Sequence, residues 1–553
     1  MGYTPHILVV GGGVTGTGLA RDLAMRGLEV TLVERGRLTS GATGRTQGLL
    51  DSGARFAVSD PETAADCHAE SATLRDVASH CVTDTGGLVV SLSDDDPEYF
   101  ERTESACEEA GIDAEELSGS DAREREPALG EAVERALLVP DAAVDPFRLT
   151  VANAKSARNY GAEVKTHAPV TDVRYERGAV AGVEIAGENG TTAIDADYVV
   201  NATGPWADEV AAMAGFDLSL RHVRGAMVVL NDRPTERVVT RCRPGDEGDI
   251  VVPYDGKTLV GTTAETVEDP DSISETREEV DRLVEEAAAV VPSLRETRSI
   301  RSFGTVRSGY DREGTGSHEC VILDHEARDD TWGMSTVVGG TVTTSRLVAE
   351  RVADHVCAKF GIDRPCLTAE EALPGSESEA VVDDAGGQFG LSSPVVEASR
   401  ERLGSQTGEV LETTGPNPVL CECELVTREE VQAAMRDGTG ERTDLNEVRI
   451  RTRAGMGECQ GGRCCHLLAS ELYPLSDVAE MDRALDDLYD ERWSGQRHAL
   501  WGDQLAEAMR TYELHAATLN RPDEDQADVD LSAFDSGAAW ERGDVGTASG
   551  GQQ

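Results

Sequence analysis

Four cysteines stand as two short pairs, Cys421-Glu-Cys423 and Cys459-Gln-Gly-Gly-Arg-Cys464, with thirty-five residues between the pairs. Four thiolates are what an iron–sulfur cluster requires, and two tight pairs brought together by a small fold suit a 2Fe–2S unit. Structural zinc also takes four thiolates, usually from pairs separated by roughly two to four residues. The CxC and CxxxxC spacings match that poorly, and Gly455, Gly457, Gly461 and Gly462 flank the second pair. Cys465, directly after Cys464, reads as a thiol outside the ligand set. The other seven cysteines are scattered and read as small buried hydrophobes.

At the opposite end the sequence runs His6-Ile-Leu-Val-Val-Gly-Gly-Gly-Val-Thr-Gly16, a strand entering GxGxxG. Gly11, Gly13 and Gly16 allow a tight turn and bring backbone amides close to a pyrophosphate at a helix N-terminus. Glu34 follows Gly16 by eighteen residues, at the end of the next strand, where a carboxylate can accept hydrogen bonds from a ribose. The motif does not separate FAD from NAD. A long Gly/Ser/Thr loop over residues 37–56 and a second glycine pair, Gly339-Gly340, favour a flavin. Asn201-Ala-Thr-Gly204 ends another strand, where a bare glycine could lie against the adenosine half; an ordinary strand-to-helix turn is the alternative.

Arg55, Arg224 and Arg307 follow strand ends or glycines and could grip an anionic substrate, although any one arginine is more often a surface residue. His68, His222 and His325 are candidates for a general base, without a spacing that compels the role.

Elements must carry these groups. Residues 5–36 read strand, glycine turn, helix, strand, the start of a doubly wound α/β sheet. Strands such as GLVVSL, GVEIAG, YVVNATG and AMVVL within 85–260 predict a second, antiparallel sheet interleaved with the first. Residues 276–291 carry helical periodicity. Five regions follow: an oxidoreductase unit over 1–370, a linker with one helix over 371–415, the cysteine module over 416–475, a helical segment over 476–520, and a disordered acidic tail over 521–553.

The 553 residues hold 103 acidic and 51 basic side chains, a formal charge of -52. In molar salt the Debye length falls to about 3 Å, so such self-repulsion is screened; the composition reads as that of a salt-accumulating halophile. A basic stripe for nucleic acid is missing. No run of eighteen apolar residues occurs, so no spanning helix is expected, and a strand by residue 6 leaves no room for a signal peptide. A reducing compartment suits the irregular cysteines.

The segments HILVVGGGVTGTGLARDLAMRGLEVTLVERG, TSGATGRTQGLLDSGARFAV, VPDAAVDPFRLT, VVNATGPWADEVA and ILDHE together resemble the catalytic A subunits of anaerobic, quinone-linked glycerol-3-phosphate dehydrogenases. RTRAGMGECQGGRC is similar to their C-terminal module, of the bacterioferritin-associated-ferredoxin type. The resemblance runs from about residue 5 to 510. It implies FAD in a glutathione-reductase-like fold, oxidation of sn-glycerol 3-phosphate to dihydroxyacetone phosphate, and electrons leaving through a 2Fe–2S cluster. Partner subunits B and C would then carry them to a quinone, with this chain peripheral on the cytoplasmic face of the membrane. By the resemblance, Gly11, Gly13, Gly16 and Glu34 hold the adenosine end, Thr39, Ser40, Thr43 and Gly44 lie along the phosphates and flavin, and Arg55 and Arg307 contact the substrate phosphate. The family pattern commonly reads Gly-Gly-Lys and Arg-Pro where this chain has Gly339-Gly340-Thr341 and Arg307-Ser308. The missing lysine permits an alternative, a 2-hydroxy acid or an amine as substrate. A redox-sensing or iron–sulfur storage protein with a vestigial flavin site is a third reading, opposed by the intact GxGxxG and Glu34.

Overall fold

The computed structural model describes residues 3–187, 190–245, 250–310, 320–377, 389–412, 415–436, 444–472 and 477–518; the tail expected to be disordered lies outside them. Runs such as ILVV and TLV are apolar on both faces and β-branched, so they form strands covered from both sides. A six-stranded sheet results, in the order Val321–Asp324, Met334–Val338, Tyr198–Asn201, His6–Val10, Glu29–Val33, Glu163–Lys165. All neighbours are parallel except the edge strand Val321–Asp324. Helices Val14–Met25, Pro146–Asn159 and Ser345–Phe360 pack one face through Leu19, Leu23, Ala154, Val348 and Val352.

The turn after His6–Val10 is glycine by necessity. Gly11 sits at φ +117°, and a Cβ on Gly16 would run into the Gly11 carbonyl oxygen. The first helix therefore starts directly above the strand end, with its free N–H groups facing outward.

A nine-stranded, mostly antiparallel sheet forms the second layer, with Leu220–Leu230 and Ser299–Tyr310 as its longest pair. One pairing in it is parallel, Val238–Arg241 on Gly87–Leu92. Helix Arg277–Val290 covers it, opened by a capping box between Thr276 and Glu279 and buried through Val280, Leu283 and Ala287. Two segments expected in this sheet go elsewhere. GVEIAG belongs to a three-stranded meander against the far face of the parallel sheet, and YVVN is the sheet's own third strand. Both are short apolar runs whose partners periodicity does not specify.

The cysteine module is a small hairpin, Val419–Cys421 with Val426–Thr427, and four helices, Arg428–Arg436, Leu445–Thr452, Cys465–Leu472 and Val478–Gln496, around one core. Among the described residues the expected linker carries the helices Ser393–Leu403 and Thr407–Leu411, and the first packs against the module. The described part of 476–520 carries the helices Val478–Gln496 and Gly502–Thr518.

Candidate active site and cluster site

The strand end at Val10, the Glu34 strand end and the 39–48 loop open on one cavity of about 410 Å³, ample for part of a dinucleotide. Gly11, Gly13, Glu34, Ser40, Thr43, Gly204, Gly339 and Gly340 all line it. Gly16 does not; its part is the close packing on Gly11. Thr39 and Gly44 line a neighbouring cavity on the other side of the same loop, and Ser40 faces both. Glu34 accepts from Gly12 N at 2.7 Å with Oε2, and from Gly36 N and Ser40 Oγ at 2.8 and 3.0 Å with Oε1. The carboxylate is thus fixed by the loops and keeps lone pairs for a ribose hydroxyl. A Cβ on Gly13 would meet only Thr43 Oγ1, and one on Gly204 would meet nothing, so both glycines face open cradle. This donor-rich, glycine-lined groove fits the pyrophosphate and adenosine of FAD.

Arg55 and Arg307 line the far end of the same cavity, with Thr341 and Thr343. Arg224 does not. It is buried on the opposite side of its strand, paired with Glu265 and with Glu279 at 2.9 Å. The three histidines are also elsewhere. His222 contacts Ser308 Oγ at 2.6 Å, and His325 is stacked on Phe216 and contacts Asp329 and Thr336. His68 sits half-buried on helix Pro61–Val77 and lines neither cavity.

The carboxylate at the deep end is one that sequence reasoning passed over, Asp51. It is 4% exposed, lines the cavity, and follows the short strand Leu49–Leu50. Thr343 Oγ1 accepts from its backbone N at 3.0 Å, and its Oδ1 accepts from Gly53 N at 2.7 Å. Oδ2 lies 3.7 Å from Arg55 Nη1. Burial pushes its pKa up against the pull of Arg55 and Gly53. Asp141 beside it is pushed up to about 6, by burial first and then by Asp51. Its sequence signal was faint: one acid in the polar loop GLLDSGARF.

Thr341, in the place of the family's lysine, is used locally. Its N donates to Thr344 Oγ1 at 3.0 Å, and its own hydroxyl accepts from Thr344 N at 3.2 Å. It brings no cation, so any anion at this end depends on Arg55 and Arg307.

In the cysteine module the four sulfurs meet as two pairs. Cys423 Sγ lies 3.6 Å from Cys459 Sγ, and the Cys421 and Cys464 thiols are hydrogen-bonded to each other. That bond draws the Cys421 thiol down to about 6, helped by N–H groups of Gly455 and Glu424, and pushes Cys464 up. Among the described residues no three His, Cys, Asp or Glu side chains converge on a single metal ion. Two sulfur pairs with backbone donors fit a two-iron cluster better than one zinc. A Cβ on Gly457 would strike Cys423, and Arg453, Gly455, Gln460 and Gly461 take positive φ, so the loop folds tightly over the sulfurs. Cys465 faces away, 3.0 Å from Tyr489 OH.

The module docks through buried charge. Arg453 pairs with Asp255 and Glu424 at 2.8 and 3.2 Å and donates to Tyr254 OH, while Lys257 reaches Glu424 at 2.8 Å. The 39–48 loop therefore has the dinucleotide cradle on one side and the cysteine module on the other.

Comparison with known proteins agrees with this division. The FAD dependent oxidoreductase family matches residues 6–355, and the BFD-like [2Fe-2S] binding domain matches residues 419–472. The A1 subunit of the anaerobic glycerol-3-phosphate dehydrogenase of Haloferax volcanii is 50% identical over 561 residues, covering 98% of this chain and 95% of that protein. The corresponding protein of Escherichia coli K12 is 40% identical over 518 residues, covering 91% of this chain and 95% of that protein. The FAD-complexed glycerol-3-phosphate dehydrogenase structure from Bacillus halodurans shares the fold, with a TM-score of 0.69 at 22% identity over 89% of this chain and 95% of that one.

Proposed function

The chain belongs to the family of anaerobic glycerol-3-phosphate dehydrogenase catalytic subunits, with FAD and a 2Fe–2S cluster as its cofactors, and on that premise we propose how its residues divide the work. The substrate is sn-glycerol 3-phosphate, the product dihydroxyacetone phosphate, and the final acceptor a quinone reached through partner subunits. The observation that carries this reading is the single cavity that runs from the Gly11–Gly13 cradle to Arg55 and Arg307.

Gly11, Gly13, Glu34, Ser40, Thr43, Gly204, Gly339 and Gly340 form the FAD bed, Gly16 supports it by packing on Gly11, and Thr39 and Gly44, expected along the flavin, face the cavity behind the loop. Bound FAD supplies a two-electron acceptor and the cluster a one-electron carrier. Arg55 and Arg307 bind the phosphate dianion, which guanidinium groups grip bidentately. Oxidation at C2 removes a hydride from carbon and a proton from the hydroxyl. Asp51 takes that proton: it is the buried carboxylate beside Arg55, and no histidine lines the cavity among the described residues. Cys421, Cys423, Cys459 and Cys464 hold the cluster.

No described helix is long and apolar enough to cross a membrane. A peripheral place on the cytoplasmic face of the membrane, held by partner subunits B and C, accords with that and with the family. The alternative, a 2-hydroxy acid or an amine substrate, keeps one observation in its favour, the neutral Thr341. Anaerobic mixing in molar KCl separates the two: glycerol 3-phosphate should bleach the bound flavin, and lactate or proline should not. Faster bleaching by either of these would replace the substrate assignment.

A further inference from the structure

On the module side of the 39–48 loop lies a second cavity, of about 190 Å³. Phe147, Tyr254 and Phe303 give its lining three aromatic rings, and Arg45, Arg301 and Arg449 give it guanidinium groups, Arg301 lying 5.8 Å from the Phe303 ring centroid. These three guanidinium groups have one carboxylate among them. Glu491 pairs with Arg301 at 2.9 Å and with Arg449 at 2.8 Å. Arg45 has no ion pair among the described residues and donates to the Ser40 and Gly41 carbonyls. The other cations of the lining have their own acids: Arg37 has Asp444, Lys257 has Glu424, and Arg453 has Asp255. The local surplus is therefore about two positive charges in a chain whose net charge is -52.

Hydrogen bonding shows the same deficit. Asn446 lines the cavity at 1% exposure, and neither its Oδ1 nor its Nδ2 has a partner. The Nε atoms of Arg301 and Arg449 are likewise buried and unpartnered. Three donor nitrogens thus lack an acceptor, where native proteins leave very few. Burial and the neighbouring arginines Arg301 and Arg37 pull the pKa of Arg449 down, as they do that of Arg45. Burial alone would push Glu491 up, yet Arg449, Arg301 and Arg45 hold it well below the usual carboxylate range. A lone chloride balances only one of the two charges. A phosphate group carries two charges and several acceptor oxygens, which match that surplus and those donors.

We propose that this cavity is a phosphate-binding site, separate from the substrate pocket, taking inorganic phosphate or a phosphate monoester whose organic part meets the aromatic rings. The bound dianion ties Arg45 of the loop to Arg449 of the module and so holds the two halves of the electron path together.

The test uses holoprotein carrying Arg307→Ala, so that the substrate pocket does not report, in phosphate-free molar KCl. Equilibrium dialysis with labelled inorganic phosphate should give one site per chain. Adding Arg45→Gln or Asn446→Leu should weaken it roughly tenfold or more. Asn446→Leu also removes an unpartnered buried amide. It should therefore leave melting without phosphate unchanged or higher, and should lose the upward shift that phosphate gives the parent. Phenyl phosphate in place of phosphate reads the aromatic rings: tighter binding identifies an ester as occupant, equal or weaker binding the free ion. Absence of a phosphate site in the Arg307→Ala protein, or equal affinity in the Arg45→Gln protein, would overturn the proposal.

Discussion

Arg402 and Glu430 form an ion pair at 2.7 Å, with side chains 5% and 1% exposed. The same guanidinium donates to the Glu424 and Leu425 carbonyls, and the same carboxylate accepts from Thr427 N, Thr427 Oγ1 and Ser399 Oγ. Helix Ser393–Leu403 is thereby fixed to the turn that carries Cys421 and Cys423. Arg402→Ala leaves Glu430 buried and unpaired, a change that costs about 3–5 kcal/mol. Thermal unfolding should shift down accordingly and the purified protein should lose iron, while its flavin content stays near one per chain. Unchanged iron and melting would mean that the helix is a passive connection.

Gly13 faces open cradle, so a side chain there blocks ligand rather than fold. Gly13→Val should yield protein with its cluster absorbance intact and no FAD after desalting. Retention of stoichiometric flavin would place the pyrophosphate elsewhere.

As the proposed proton acceptor, Asp51 should set the pH dependence. A proton acceptor must be ionised, and burial raises the Asp51 pKa while Arg55 opposes the rise. The rate of flavin reduction should therefore climb with pH through a value above the ordinary carboxylate pKa of about 3.9 and then level off. The charged groups that shape this titration are Arg55 and Asp141. Asp51→Asn should slow reduction roughly a hundredfold or more and flatten the profile, with glycerol 3-phosphate binding retained. A parallel profile in the variant would pass the role to another group.

In the function proposed above Arg307 carries much of the phosphate grip, because Thr341 offers no charge. Arg307→Ala should weaken glycerol 3-phosphate binding by about 2–5 kcal/mol, the scale for truncating one partner of a buried charged pair. Oxidation of glycerol, which has no phosphate, should hardly change. Equal losses for both alcohols in a titration of flavin reduction would show that Arg307 shapes the pocket without reading the phosphate.

Much of this was legible in the chain because local rules carry it. The strand, Gly11–Gly16 turn and Glu34 follow from β-branched runs and a forced left-handed glycine, and the Cys pairs declare themselves by spacing. What escaped depends on partners far apart in sequence. Arg224 looked like Arg55 and Arg307 until its strand register turned it toward Glu265 and Glu279. Asp51 is one acid among 103 and gains meaning only from burial beside Arg55. The helix Ser393–Leu403 lies in a stretch of linker-like composition, and the ion pair that gives it a place in the fold joins residues twenty-eight apart.

The central claim is that electrons from glycerol 3-phosphate cross from the Gly11–Gly13 site to the Cys421–Cys464 site within one chain. Rapid-freeze electron paramagnetic resonance after anaerobic mixing in molar KCl tests it most directly, in wild type, Cys459→Ser and Cys465→Ser proteins. Wild type and Cys465→Ser should bleach their flavin and then develop the signal of a reduced 2Fe–2S cluster; Cys465 lies 3.0 Å from Tyr489 OH and is outside the sulfur pairs. Cys459→Ser should bleach its flavin and show no such signal. A wild-type flavin that stays reduced while the cluster stays oxidised, or zinc without labile sulfide in the anaerobic preparation, would contradict the account.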